Sequence, residues 1–461
     1  MNKYEVEAIL RQAKHLFFVG IGGISMSSLA FVCRERGYEV SGSDRAVSAM
    51  TEKLSAAGIP VSHEHRAENI EGADAVVYTG AVTLENPELA AAKEKGFPLI
   101  YRADLLGYLM CEYTHRIGVA GMHGKSTATS MLAHLFIDAE KKPTVLSGAE
   151  TEEMGGAYLL GEKDYFIFEA CEYKDSFLSF YPSISVILNI DLDHTDYFTG
   201  GIPQIVDSFT RYAHLPFDGT NALPVTVINA DDEHTANIVK NIPHTVTFGV
   251  ENDADYQAKN ISLIGGRASF DIVKGDQPLT HISLCVFGKH NIYNALAAAA
   301  VSDLLGLSLS EIARGLSTFT GLRRRFEYKG SVNGASVYID YAHHPREIAA
   351  TLAGAKAGTR GKVIAFFEPH TYSRTASLLE DFAAAFTEAD EIYFLDIYAA
   401  REENIYGVSS EALAKRTPRG AYAESYEKAC GIIRARAKEG DIVIILGAGT
   451  VAKIADMLFS V

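Results

Sequence analysis

Short runs of β-branched and aromatic residues alternate with helical stretches through the first third of the chain. The run HLFFV at residues 15–19 reads as a buried strand and residues 25–36 as a helix, with further strands at residues 38–41 and 75–78. Strands separated by helical segments of this length predict βαβ units and a parallel sheet. The first domain is expected to end near Cys111. A second strand, at residues 116–120, turns into a helix over residues 125–139. Apolar strands at residues 165–168 and 185–188 follow, each ending in charged residues. Such a layout suits a nucleotide-binding sheet, because ligands sit at the carboxyl ends of parallel strands. Residues 225–287 carry shorter alternating segments, expected to include an antiparallel patch, and an alanine-rich helix is predicted over residues 294–305. A third α/β pattern begins near Arg323, with strands at residues 336–339, 363–367, 392–395 and 442–446. No period of ~20 to 50 residues recurs, which excludes a solenoid. The expected fold class is α/β in three domains, over residues 1–111, 112–321 and 322–461.

Composition agrees with this division. At ~150 residues per domain, about three domains are expected from 461 residues. A 48% hydrophobic and 22% charged chain is of ordinary globular make-up, rather than disordered. Asp and Glu outnumber Lys and Arg by 58 to 42, for a formal charge of −16. Such a surface repels phosphate backbones, so no nucleic-acid partner is expected, although a local basic pocket for a nucleotide is compatible with it. The five cysteines, Cys33, Cys111, Cys171, Cys285 and Cys430, form no CxxC pair and no zinc spacing, which fits a reducing cytoplasm. No apolar leader and no run of about 18 apolar residues is present, so the expectation is a soluble cytoplasmic protein without a membrane partner.

Three groups of residues could carry chemistry. Gly121, Met122, His123, Gly124, Lys125 and Ser126 lie between a strand and a helix. Glycines there let backbone N–H groups close around phosphate oxygens at a helix N-terminus. Lys125 would neutralise β/γ phosphates and Ser126 would ligate magnesium. The pattern is GxxGKS, since the first glycine of the longer motif falls on Val119. Glu169 and His194 each follow a strand, at carboxyl ends expected near the phosphate loop, and could bind magnesium ions between phosphate and acceptor.

Gly20, Gly22 and Gly23 after the first strand form a partial dinucleotide fingerprint, with Ser25 at the third glycine position. Asp44 ends the next strand, where an acid could bind a ribose hydroxyl. NAD or any nucleotide diphosphate would use this geometry. In the last third, Asp340, His343 and His344 follow one strand, and Glu368, His370, Tyr372 and Arg374 follow another. These read as binding loops, with Arg374 suited to clamp a small carboxylate.

The order and spacing of many short stretches resemble the Mur ligase family. They are GIGGISMS, SGSD, ENPEL, GMHGKST, FEACEY, NIDLDHTDYF, GKHNIYNAL, RRRFE, DYAHHP, EPHTYSRT, GVSSE and LGAGT. The resemblance implies a Rossmann-like UDP-sugar-binding N-terminal domain, a central P-loop ATP-binding domain and a Rossmann-like amino-acid-binding C-terminal domain. It implies an ATP-dependent, amide-bond-forming ligase of peptidoglycan precursor synthesis, with UDP-N-acetylmuramate and L-alanine as partners. ATP and Mg2+ are the implied cofactors, with Mn2+ as a substitute, and the implied state is a monomer or weak homodimer.

The family's pattern places Lys125, Glu169 and His194 in catalysis, with Ser126, Glu169 and His194 on the metal. ATP contacts fall on Gly121, Met122, His123, Gly124, Lys125, Ser126, Thr127, His290, Asn291, Asn294, Arg325 and Asp340. Substrate contacts fall on Gly22, Gly23, His343, His344, His370, Tyr372 and Arg374, which makes the first domain a UDP-diphosphate site rather than an NAD site. The chain departs from the family at Met122 and Ser126, where threonine is usual, and at Cys171, where the usual EADE reads EACE and keeps Glu169 and Glu172. No lysine occurs between Lys174 and Lys240, so the carbamylated lysine of some relatives is absent. The alternative within the family is a murein-peptide ligase that adds a recycled tripeptide to the same nucleotide sugar. Outside it stand an NAD-dependent oxidoreductase, which leaves Lys125, Glu169 and His194 unexplained, and a non-catalytic nucleotide-binding regulator.

Overall fold

A computed structural model describes residues 1–459 apart from 152, 195, 196, 220, 222, 276 and 401. The chain divides into two compact units: residues 1–257, 273–277 and 293–315, and residues 258–272, 278–292 and 316–461.

The first unit begins with a five-stranded sheet in the order Val61–Ser62, Glu39–Ser43, His15–Val19, Ala75–Tyr78, Leu99–Tyr101. All its pairings are parallel. His15–Val19 buries Leu16, Phe17, Phe18 and Val19. Both faces are covered, which is why the strand reads as a continuous apolar run instead of an alternation. Its neighbours on either side come from later in the chain, so the glycine turn at its carboxyl end sits at the switch point of the sheet, where ligands bind in such folds.

The same unit holds a second parallel array, in the order Thr245–Gly249, Val225–Asn229, Ile184–Ile187, His115–Ala120, Tyr165–Glu169, Thr144–Thr151. Gly156–Leu159 closes the edge antiparallel to Thr144–Thr151. His115–Ala120 is central: Val119 is in register with Glu169, and Ala120 with Ile187. That register brings the loop after Ala120, the carboxylate of Glu169 and the segment after Ile187 to one end of the sheet.

The second unit carries a six-stranded sheet in the order Glu327–Val332, Ala335–Asp340, Ile442–Leu446, Val363–Phe367, Glu391–Phe394, Gly420–Tyr422. Only Glu327–Val332 runs antiparallel to its neighbour. The segments beginning at Tyr341 and Glu368 leave from the carboxyl ends of the two strands that flank Ile442–Leu446.

The α/β class and the strand positions match the expectation closely. The region after Val225 differs from it. Val225–Asn229 and Thr245–Gly249 are short and parallel, but Tyr256–Ile264, Arg267–Lys274 and Gln277–Phe287 are the longer strands, of 9, 8 and 11 residues. Arg267–Lys274 alternates clearly, with Ala268, Phe270 and Ile272 buried, whereas the end of Tyr256–Ile264 is exposed on both faces, at Leu263 and Ile264. Gly265 and Gly266, at φ +57° and +76°, supply the two left-handed positions of a tight hairpin turn. The alanine-rich helix also starts earlier than expected, at His290.

Candidate active site

The loop Gly121–Gly124 follows His115–Ala120 and opens the helix Lys125–Asp138. Asn189, just past the neighbouring strand, staples it. Its side chain accepts from His123 N at 2.8 Å and donates to His123 O at 2.9 Å, and its backbone O accepts from Met122 N at 3.3 Å. Met122 is buried in the core, so its side chain anchors the loop. Gly124 sits at φ +82°, and a Cβ there would lie 2.7 Å from Asn294 Oδ1. Only glycine lets the loop close onto Asn294, which is buried in the helix His290–Leu304. Thr127 lies in the first turn of the loop helix.

Lys125 folds back over its own loop. Its Nζ donates to Gly121 O at 2.6 Å, to Met122 O at 3.3 Å and to Glu172 Oε1 at 3.0 Å. Burial works against the lysine charge, but the Glu172 carboxylate outweighs it and holds the group above its ordinary pKa. Glu172 is likewise held below the usual carboxylate range by Lys125 and His194 despite its burial. Both therefore stay ionised. Ser126 Oγ donates to Glu169 Oε2 at 2.8 Å, and Gly148 N donates to the same oxygen at 2.9 Å. His194 Nε2 lies 3.5 Å from Glu172 Oε1, and its ring leans on Tyr173 with centroids 4.7 Å apart.

A cation fits this arrangement. Glu172 Oε2 is buried without a hydrogen-bond partner among the described residues, and such a group calls for a positive partner. Yet no cluster of three or more His, Cys, Asp or Glu among the described residues could hold a metal by itself. Magnesium is usually held by one or two carboxylates together with substrate phosphates. The donor set of Ser126, Glu169 and His194 is of that incomplete kind.

In the five-stranded sheet, Gly20 N and Ile21 N donate to Ser43 O at 2.8 and 3.0 Å. Asp44 accepts from Gly22 N at 3.0 Å, and a Cβ on Gly22 would meet that carboxylate at 2.8 Å. The acid thus shapes the glycine turn itself. Gly23 is the N-cap of the helix Ile24–Glu35.

In the second unit, His343 and His370 have ring centroids 6.0 Å apart, and His370 stacks on Tyr398 at 5.5 Å. Burial, His343 and the Arg374 charge push His370 down to about 4, and burial also lowers His343. His343 Nδ1 lies 3.0 Å from Tyr341 O, so in the neutral ring Nδ1 carries the proton and Nε2 accepts. His370 Nδ1 is buried and unpartnered among the described residues. Tyr372 and Arg374 lie on the helix Tyr372–Ser377, whose start is tied by Ser373 N to Glu402 Oε2 at 2.8 Å.

His344 has a different position from its neighbour. It is the N-cap of the helix Pro345–Gly358, with Arg346 N donating to its Nδ1. Asp340 has both oxygens engaged, by Phe326 N and Ala342 N at 2.7 Å each. It pins the segment that carries Arg325, whose guanidinium lies over the Tyr341 ring at 5.2 Å. His290 opens its helix, and Asn291 Nδ2 donates to Phe287 O at 2.7 Å. Two residues outside the expected set prove central, Glu172 and Asn189. Both lie inside the motifs FEACEY and NIDLDHTDYF, of which Thr195 and Asp196 are outside the described residues.

A phosphate-type loop beside the buried Glu172 and the partly buried Glu169, at the carboxyl end of a parallel sheet, is the scaffold of a nucleotide-dependent enzyme. Residues 15–114 match the Mur ligase family catalytic domain, residues 119–302 the Mur ligase middle domain, and residues 324–449 the Mur ligase glutamate ligase domain. The chain belongs to the Mur ligase family of ATP-dependent ligases. It is 44% identical over 455 residues to a UDP-N-acetylmuramate–L-alanine ligase of Clostridium acetobutylicum, covering 97% of this chain and 98% of the relative. It is 44% identical over 458 residues to the ligase of the same name from Caldanaerobacter subterraneus subsp. tengcongensis, covering 98% of each. The crystal structure of UDP-N-acetylmuramate-alanine ligase MurC from Thermotoga maritima superimposes with a TM-score of 0.82 at 27% identity, over 97% of this chain and 98% of that one. A murein peptide ligase of Psychrobacter arcticus shares the fold, with a TM-score of 0.72 at 24% identity over 97% and 98%.

Proposed function

We propose that the protein joins L-alanine to the lactyl carboxylate of UDP-N-acetylmuramate, with ATP converted to ADP and phosphate, in cytoplasmic peptidoglycan precursor synthesis. The observation that carries this reading is 44% identity along 97% of the chain to a ligase of that activity. No described helix is long and apolar enough to cross a membrane. We assign residues 1–111 to the UDP-sugar, 112–321 to ATP and 322–461 to the amino acid.

The chemistry follows from the weakness of a carboxylate as an electrophile. Transfer of the γ-phosphoryl to a lactyl oxygen gives an acyl phosphate. The alanine amine attacks its carbonyl carbon, and the tetrahedral intermediate collapses with phosphate leaving. Lys125 and the loop N–H groups neutralise the phosphate oxygens, where positioning and charge are most of the catalysis. Gly121, Met122, His123, Gly124 and Thr127 shape that cradle, with Asn294 behind it. Ser126, Glu169 and His194 would hold Mg2+, which would supply positive charge to offset that on the transferring phosphoryl. His290, Asn291, Arg325 and Asp340 are assigned to the nucleotide side.

Gly22 and Gly23 leave room for the UDP diphosphate. Arg374 clamps the alanine carboxylate, beside Tyr372 and the neutral rings of His343 and His370. His344 supports this loop through its cap. Incubating the enzyme with UDP-N-acetylmuramate, ATP, Mg2+ and L-alanine should give a nucleotide sugar heavier by one alanyl residue. An unchanged nucleotide sugar would refute the assignment.

A further inference from the structure

Glu172 is fully enclosed, with 0% of its side chain exposed. Oε1 accepts from Lys125 Nζ at 3.0 Å and lies 3.5 Å from His194 Nε2, while Oε2 has no partner among the described residues. Its backbone is held firmly on the C-terminal side. Ser176 Oγ donates to Cys171 O at 3.0 Å and Tyr173 O at 2.7 Å, and Asp175 accepts from Tyr197 OH at 2.8 Å and from the Ser208 hydroxyl. Lys174 and Asp175 adopt φ +55°, and His194 adopts φ +50°. Side chains with a Cβ rarely take this backbone, and it persists where surrounding contacts over-determine it, often at functional sites. The fold therefore fixes a buried carboxylate in place and leaves one of its enclosed oxygens without a hydrogen-bond partner among the described residues.

We infer that Glu172 is a positioning residue for the metal–nucleotide complex. One oxygen parks Lys125 on the loop, and the other adds attraction for the divalent cation held by Glu169 and His194. This rests on the nucleotide-binding reading of the loop. The two oxygens have opposite consequences. Pairing with Glu172 weakens the cation that metal-free nucleotide meets at Lys125. Once a divalent ion accompanies the nucleotide, the same negative charge favours binding.

The test compares dissociation constants of ADP for the full chain by titration calorimetry, in EDTA and in Mg2+, for wild type and Glu172→Gln. The ratio of the metal-free to the Mg2+ constant is expected to fall at least tenfold in the nearly isosteric variant. A wild-type ratio, whether both constants hold or both weaken together, overturns the inference and leaves Glu172 a merely structural group. Should Glu172→Gln not fold, Glu172→Asp draws the carboxylate back by one methylene. It is expected to lower the ratio, and a wild-type ratio there overturns the inference equally. A wild-type protein that binds ADP without any Mg2+ dependence would instead refute the underlying nucleotide-site reading.

Discussion

The Ser126 hydroxyl donates to Glu169 Oε2 at 2.8 Å, joining the first turn of the loop helix to the end of the adjacent strand. Two oxygen ligands suited to magnesium are thus already in contact, and a cation entering between them replaces a single hydrogen bond. Ser126→Ala removes one ligand without disturbing the core. Its kcat/KM for ATP should fall about 10²-fold, within the range for losing one charge-stabilising contact. Ser126→Thr should retain most activity. Initial rates over a Mg2+ series check both, and an alanine variant with unchanged Mg2+ dependence would remove Ser126 from the metal set.

Lys125 meets three acceptors, and one is a buried carboxylate. Lys125→Ala should abolish turnover because the lost charge acts on the transferring phosphoryl. It should also destabilise the fold, since breaking a buried pair leaves an uncompensated charge, about 3–5 kcal/mol. Phosphate release and urea unfolding separate the two effects. Near-full turnover in a folded variant would contradict the mechanism.

A Cβ on Gly148 would lie 2.5 Å from Glu169 Oε2. That neighbour is the end of a flexible side chain, and Gly148 is not in the left-handed region. Gly148→Ala should therefore fold with nearly unchanged Tm while pushing Glu169 away from Ser126. We expect kcat to drop about tenfold, as for a misplaced charge-stabilising group. Thermal melts with steady-state rates provide the check. A loss of Tm without loss of kcat would be the contrary result.

His370 is pushed down to about 4 from 6.5. Between those values the unfolded imidazole binds a proton that the folded one does not, so stability rises with pH across this window and levels off above it. His343 is shifted in the same direction. His370→Gln should make the rise shallower. Urea midpoints measured across the window for both proteins test this, and identical slopes would contradict it.

Much of this was legible in the sequence where local chemistry and fold coincide. Each apolar strand that ends in a charged residue, as at Glu169 and Asp340, marks a strand carboxyl end in the structure. The glycine loops were readable because close backbone approach demands glycine, as at Gly124 against Asn294. Pairwise geometry was not readable. Nothing in the spacing of FEACEY says that Glu172, not Glu169, takes the lysine, because the turn at Lys174 and Asp175 sets that direction. His344 looks like its neighbour His343 in sequence, yet a helix start at Pro345 makes it a cap. The full length of the strand from Tyr256 was hidden because Leu263 and Ile264 stand exposed at successive positions near its end and break the alternation.

The central claim is the identity of the acceptor. Phosphate release with ATP, Mg2+ and UDP-N-acetylmuramate should be followed with L-alanine, with the peptidoglycan tripeptide and with no acceptor. Release that requires L-alanine is the predicted result. Release with tripeptide alone would contradict the account and place the protein among the murein-peptide ligases.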